Sequence, residues 1–156
     1  MPVLVGRYLN KIDRKGRVSV PKPFRDILME GGGFAGIFAY ALITEPGIEG
    51  CNEAFMARIA ASVEQYGLFS SDHDEFAIAL LEGAHQLAFD PEGRITLPGE
   101  LIEHAHLDGE VVFVGRGGRF QMWNPATYQE HRAALLSKLK ARGATLQLAP
   151  TAEGVP

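Results

Sequence analysis

At 156 residues and 46% apolar composition, the chain suits one globular domain, or two small units sharing a core, and long disorder is excluded. A single cysteine, Cys51, excludes a disulfide framework and a cysteine-based zinc cluster, and no stretch nears the roughly 20 apolar residues that span a bilayer. The net charge of −4 hides a lopsided distribution: seven of the 15 basic residues lie in the first 25 positions with Asp13 the only acid before Asp26, whereas Asp90 to Glu110 holds six acids against Arg94 alone. With no basic leader before Val3-Leu4-Val5, the expected location is the reducing cytoplasm.

A first strand is expected from about Val5 to Ile12, then a turn at Asp13–Gly16 and a strand Arg17–Val20. Pro21 suits the first position of a short helix with Phe24, Ile27 and Leu28 on one face, stopped by Gly31-Gly32-Gly33. Gly36 to Thr44 reads as one or two further strands closed by Pro46-Gly47. A helix from about Asn52 to Gln65 follows, with Phe55, Met56, Ile59, Ala60 and Val63 at helical spacing. Ser70-Ser71-Asp72 offers the cap of a second helix, Asp74 to about Glu82. The plan then repeats: a strand near His85–Phe89, a turn at Asp90–Gly93, a strand Arg94–Leu97 and a short helix Pro98–His106. A hairpin built from Val111–Gly115 and Arg119–Trp123 follows, then a helix from about Ala126 to Arg142 and a frayed tail.

The repetition is literal. Asp13-Arg14-Lys15-Gly16-Arg17-Val18-Ser19-Val20-Pro21 returns 77 residues later as Asp90-Pro91-Glu92-Gly93-Arg94-Ile95-Thr96-Leu97-Pro98, with Asp, Gly, Arg and Pro coincident. Asp at the first and Gly at the fourth position suit a type I turn followed by a left-handed glycine, so each phrase reads as a tight hairpin. Beyond it, Leu42-Ile43-Thr44-Glu45-Pro46 aligns with Gln121-Met122-Trp123-Asn124-Pro125. The expected segments are 5–52 and 81–127 for the two units, 53–80 for a helical link, 128–142 for a last helix and 143–156 for the tail.

Two D-x-x-G-R phrases, each within strand, turn, strand and short helix, resemble the MraZ family of bacterial transcriptional regulators, whose units are similar to the SpoVT/AbrB fold. The resemblance covers about Val5 to Leu139. It implies an α+β fold in which AbrB-like hairpins interleave as a swapped, double-psi-like β-barrel, here within one chain with flanking helices. It also implies closed homo-oligomeric rings, nucleoid association, and binding to repeated double-stranded DNA sites upstream of the division and cell-wall gene cluster, the protein's own gene included. The D-x-x-x-R of the family falls on Asp13/Arg17 and Asp90/Arg94; Pro91-Glu92 departs by replacing the basic pair Arg14-Lys15.

Asp13 and Asp90 suit a structural role, accepting from the backbone N–H groups of their own turns, and a paired contact with an arginine across the pseudo-twofold is a second possibility. Gly16 and Gly93 are turn residues. Arg17, in the basic run, is expected to contact DNA, and Arg94, among acids, to serve the fold. Arg14 and Lys15 at the hairpin tip suit phosphate contact, supplemented by Lys22 and Arg25. No metal, cofactor, membrane or small-molecule substrate is expected: His104-x-His106 lacks companion ligands, and no P-loop, dinucleotide or nucleophile-elbow motif occurs. The reading is therefore a DNA-binding regulator and not an enzyme. The alternative is an AbrB-like assembly or antitoxin-type module without specific DNA readout.

Overall fold

β1 (Arg7–Lys11) opens the computed structural model, which describes residues 3–151. Met1, Pro2 and the last five residues of the expected tail lie outside that description. The chain continues through β2 (Arg17–Ser19), α1 (Lys22–Met29), β3 (Gly36–Ala41), β4 (Ile48–Cys51) and α2 (Glu53–Val63). α3 (Ser71–Phe76) runs straight into six residues of π-helix, Ala77–Glu82. The second half repeats the order as β5 (His85–Ala88), β6 (Arg94–Thr96), α4 (Gly99–His104), β7 (Glu110–Gly115), β8 (Phe120–Trp123) and α5 (Pro125–Ala141). Residues 144–151 form no regular structure and are exposed.

The chain is α+β, with every described strand pair antiparallel. A six-stranded sheet has the order β1-β7-β8-β4-β3-β5, and β2 pairs with β6 in a separate two-stranded sheet. Exchanging β1–β4 for β5–β8 returns the same order read backwards, so the duplication is a pseudo-twofold. Its axis passes where equivalent residues face each other, at Val18↔Ile95 in the small sheet and Glu49↔Gln121 in the large one.

This corrects the expected hairpins. The two strands of each phrase do not form a ladder with each other: one bridge, Ile12↔Val18, joins the first pair, and then the strands part. β1 pairs instead with β7, β5 with β3, and β2 with β6. Crossed pairing sets Val18 beside Ile95 and brings Val20 and Leu97 into one interior, with all four at most 2% exposed. Local pairing would have left those apolar positions without the other copy's surface to bury against.

The register of the later repeat is also corrected. Equivalent to Phe120-Gln121-Met122-Trp123-Asn124 is Ile48-Glu49-Gly50-Cys51-Asn52, an offset of 72, and not Leu42–Pro46. Asn52 and Asn124 then both cap helices, accepting from Phe55 N at 2.9 Å and from Ala126 N at 2.9 Å. In the short helices Phe24/Leu28 and Leu101/Ala105 are equivalent, and each pair is buried at i, i+4. Pro21 and Pro98 sit just outside as N-caps, each one position before the helix it was expected to begin. Phe24, Phe120 and Phe113 pack through the core as tilted rings with centroids 5.6 and 6.0 Å apart. On the opposite sheet face, Trp123 packs on Tyr128 and His131 of α5.

Candidate nucleic-acid interface

Each D-x-x-G-R phrase closes through its own atoms. In the first, Gly16 N donates to Asp13 O at 3.0 Å, and Asp13 Oδ1 accepts from the N–H of Lys15 and of Arg17, both at 2.9 Å. Asp13 Oδ2 takes Arg17 Nε at 2.6 Å. The second copy reproduces every bond: Gly93 N to Asp90 O at 2.9 Å, Glu92 and Arg94 N–H to Asp90 Oδ1 at 2.9 Å, and Arg94 Nε to Oδ2 at 2.7 Å. Each aspartate therefore fixes the arginine four residues on, within its own turn and not across the pseudo-twofold.

The turns are locked into each other's units. Gly16 O accepts from Leu97 N at 2.8 Å, and Gly93 O from Val20 N at 3.2 Å. Gly16 has φ +83, and a Cβ there would lie 2.8 Å from Leu97 O. Gly16→Ala combines left-handed strain with a backbone collision and should cost about 1–2 kcal/mol. Urea unfolding should show a lower midpoint; an unchanged midpoint would mean the turn is not held by the opposite unit.

Local backbone bonds, from Arg17 first and then its side chain and Lys15, hold the Asp13 carboxyl below its ordinary value of 3.8; Arg94 and Glu92 do the same for Asp90. The Asp90 hydrogen bond in turn raises Arg94. A carboxyl that releases its proton more readily in the folded chain stabilises the fold above 3.8 and loses that contribution as pH falls through the folded value. Wild-type protein should thus lose more stability than an Asp13→Asn/Asp90→Asn variant between about pH 5 and pH 3 in urea titrations. Equal losses would discount the turn carboxyls.

Strand alternation puts Arg17, Ser19, Arg94 and Thr96 on one face of the β2–β6 sheet, opposite buried Val18 and Ile95. Arg17, Arg94, Asp13 and Lys11 line a single shallow cleft. Arg17 and Arg94 are 36% and 29% exposed in their side chains. The two turns differ in charge: the first carries Asp13 against Arg14, Lys15 and Arg17, the second Asp90 and Glu92 against Arg94. Glu92 stands 3.7 Å from Arg94. Arg14 and Lys15 are exposed at the first tip.

The remaining expected residues diverge. Lys22 pairs with Asp26 at 2.9 Å on the exposed side of α1. Arg25 folds back under the other copy's turn, its Nε donating to Val20 O at 2.9 Å and its guanidinium packed on Gly93. Its equivalent, Ile102, packs on Gly16 in the same way. The offset of 77 was the signal that would have paired these two positions. Lys11, passed over in the sequence, lines the cleft.

A second polar cluster sits on the axis. Glu49, 8% exposed, accepts from Tyr40 Oη at 2.6 Å, Arg119 Nε at 2.9 Å and Gln121 Nε2 at 3.1 Å, and Gln121 Oε1 accepts from Trp123 Nε1 at 2.9 Å. Burial, then Glu49, push the Tyr40 hydroxyl well above its usual range, and the Cys51 thiol up to about 12. Both groups stay protonated. Among the described residues no group of three or more His, Cys, Asp or Glu is placed to hold a metal ion, and no helix is long and apolar enough to cross a membrane.

The class these features define is an α+β protein of two interleaved units, each presenting a braced arginine turn. The matches with known proteins agree. Residues 80–147 match a family model described as "MraZ protein, putative antitoxin-like". The chain is similar to proteins named Transcriptional regulator MraZ from Pelagibacter ubique (35% identical, covering 93% of each chain) and Gluconacetobacter diazotrophicus (38%, covering 99% of this chain and 95% of that one). It is also similar to that of Parvibaculum lavamentivorans, 46% identical over 79% of this chain and 76% of that one. The chain belongs to the MraZ family of transcriptional regulators.

Proposed function

We propose that this protein is a sequence-specific DNA-binding transcriptional regulator whose contact surface is the first turn and its cleft. The observation that carries this reading is a braced Arg17 on the open cleft beside Lys11, with Arg14 and Lys15 exposed at the tip of the same turn. An arginine fixed through Nε keeps its terminal nitrogens for a base edge or phosphate, with its ordering entropy already spent. Neighbouring cations add the sequence-independent attraction on which DNA binders rely. Arg94, facing Asp90 and Glu92, has its charge compensated and acts as a brace for the second turn. The crossed strand pairing favours the single-chain form of a swapped-hairpin barrel.

One chain brings few cations to one DNA segment, so tight binding requires several protomers on repeated sites, as a homo-oligomeric ring provides. By the family resemblance those sites lie upstream of the division and cell-wall genes, including the protein's own. A gel shift with that upstream DNA and a scrambled competitor tests the reading. Retention of the repeat-bearing fragment alone is expected. Equal retention of both, or of neither, would overturn it and favour an assembly module.

A further inference from the structure

The helical link leaves an apolar trough that the described chain does not cover. It is lined by Phe55, Ile59 and Tyr66 from α2 and the residues just after it, and by Phe76 and Leu80 from α3 and the π-helix. Its volume is about 280 Å³. Arg58 is the charged residue of its lining, with a guanidinium 5.2 Å above the Phe55 ring and no carboxylate partner among the described residues.

The same helical link carries its complement. Phe69, on the loop between α2 and α3, is 98% exposed, and neighbouring Leu68 is 63% exposed. Exposed Asp72, Asp74 and Glu75 follow within six residues. Apolar patches of this kind on a protein surface mark interaction sites. A cavity of roughly 150 Å³ already accepts a benzene-sized ring, so the trough has room for a phenyl group and part of a leucine. Phe69 points into solvent and not into the trough of its own chain.

We infer that Phe69 of one copy seats in the α2–α3 trough of a second copy, bringing the acidic stretch after it against Arg58. Shape and charge both select this occupant: the projecting ring precedes acids, and the trough's charged residue is a base. The inference rests on the multi-protomer reading above and supplies its contact. Because Phe69 makes the knob and α2 the hole, each copy carries both halves of the joint.

Light scattering of the full chain across a concentration series tests it. Wild-type protein should exceed the 17.0 kDa of one chain. Phe69→Ser removes an exposed side chain, and Ser62→Trp fills the trough from an exposed position of its lining. Each should raise the concentration for half-assembly about 30-fold or more, as loss of a central aromatic anchor does. Ile78→Ser, an exposed position outside the trough lining, should leave assembly unchanged. Mixing the Phe69→Ser and Ser62→Trp chains should recover two-chain complexes, since one intact knob and one intact trough remain. A wild-type monomer at micromolar concentration would overturn both this contact and the multi-protomer reading. An assembled wild type that Phe69→Ser leaves intact, or a mixture that fails to pair, would overturn the contact alone.

Discussion

Arg17→Ala is expected to abolish selective retention of the repeat-bearing DNA, while Lys15→Ala weakens binding to every sequence alike and lowers the salt slope by about 1. The two differ because Asp13 aims Arg17, whereas Lys15 stands free at the tip. Loss of one bidentate base contact is worth roughly 30-fold per site, and it multiplies when several protomers bind together. Arg94→Ala should act mainly on the second turn, which loses its bond to Asp90 and melts at lower temperature. Gel shifts across a salt series and thermal melts of the three variants separate these outcomes. If Arg94→Ala melts normally yet removes selective binding as completely as Arg17→Ala, both arginines of the cleft read DNA, and the charge difference between the turns has been overvalued.

Glu49→Ala should be the most damaging single change outside the apolar core. It strands the Tyr40 hydroxyl, the Gln121 amide and Arg119 beside a void on the pseudo-twofold. Removing one member of a buried charged network costs about 3 kcal/mol, here discounted for the part-exposed Arg119. For a chain of this length that lowers Tm by roughly 6–12 °C. Glu49→Gln keeps an acceptor for Tyr40 but sets an amide N–H₂ against donors, so its loss should be intermediate. Calorimetry showing both variants within a degree or so of wild type would mean the network contributes specificity and little stability.

The turns were legible because their chemistry is local. Asp, Gly and Arg within five residues suffice to specify the turn, the left-handed glycine and the ion pair. The cap at Ser70 was legible for the same reason. The strand pairing was not, because Arg17–Ser19 and Arg94–Thr96 alternate equally well beside any partner, and what decides is the burial of Val18 against Ile95. β4 escaped because Ile48-Glu49-Gly50-Cys51 shows no strand alternation: its carboxylate is buried by partners 9 to 72 residues away, and Gly50 is small so that the Phe120 ring can cross it. Arg25 was read as a free cation since its contact, Gly93, lies on the other copy. Each of these three misses involves a neighbour distant in the chain.

The pseudo-twofold through Glu49 and Gln121 has a consequence for how such a molecule can change over time. If two separate identical chains supplied the units, the residue on the axis would meet its own copy, and a buried glutamate would face a glutamate. Such a position admits few solutions, since two like carboxylates at that distance repel unless one holds a proton. Joining both units in one polypeptide releases the constraint. An acid can then face an amide, an arginine at position 25 can correspond to an isoleucine at 102, and a basic tip can correspond to an acidic one. The single chain can therefore assign different work to its two halves while the backbone keeps the symmetry that holds them together.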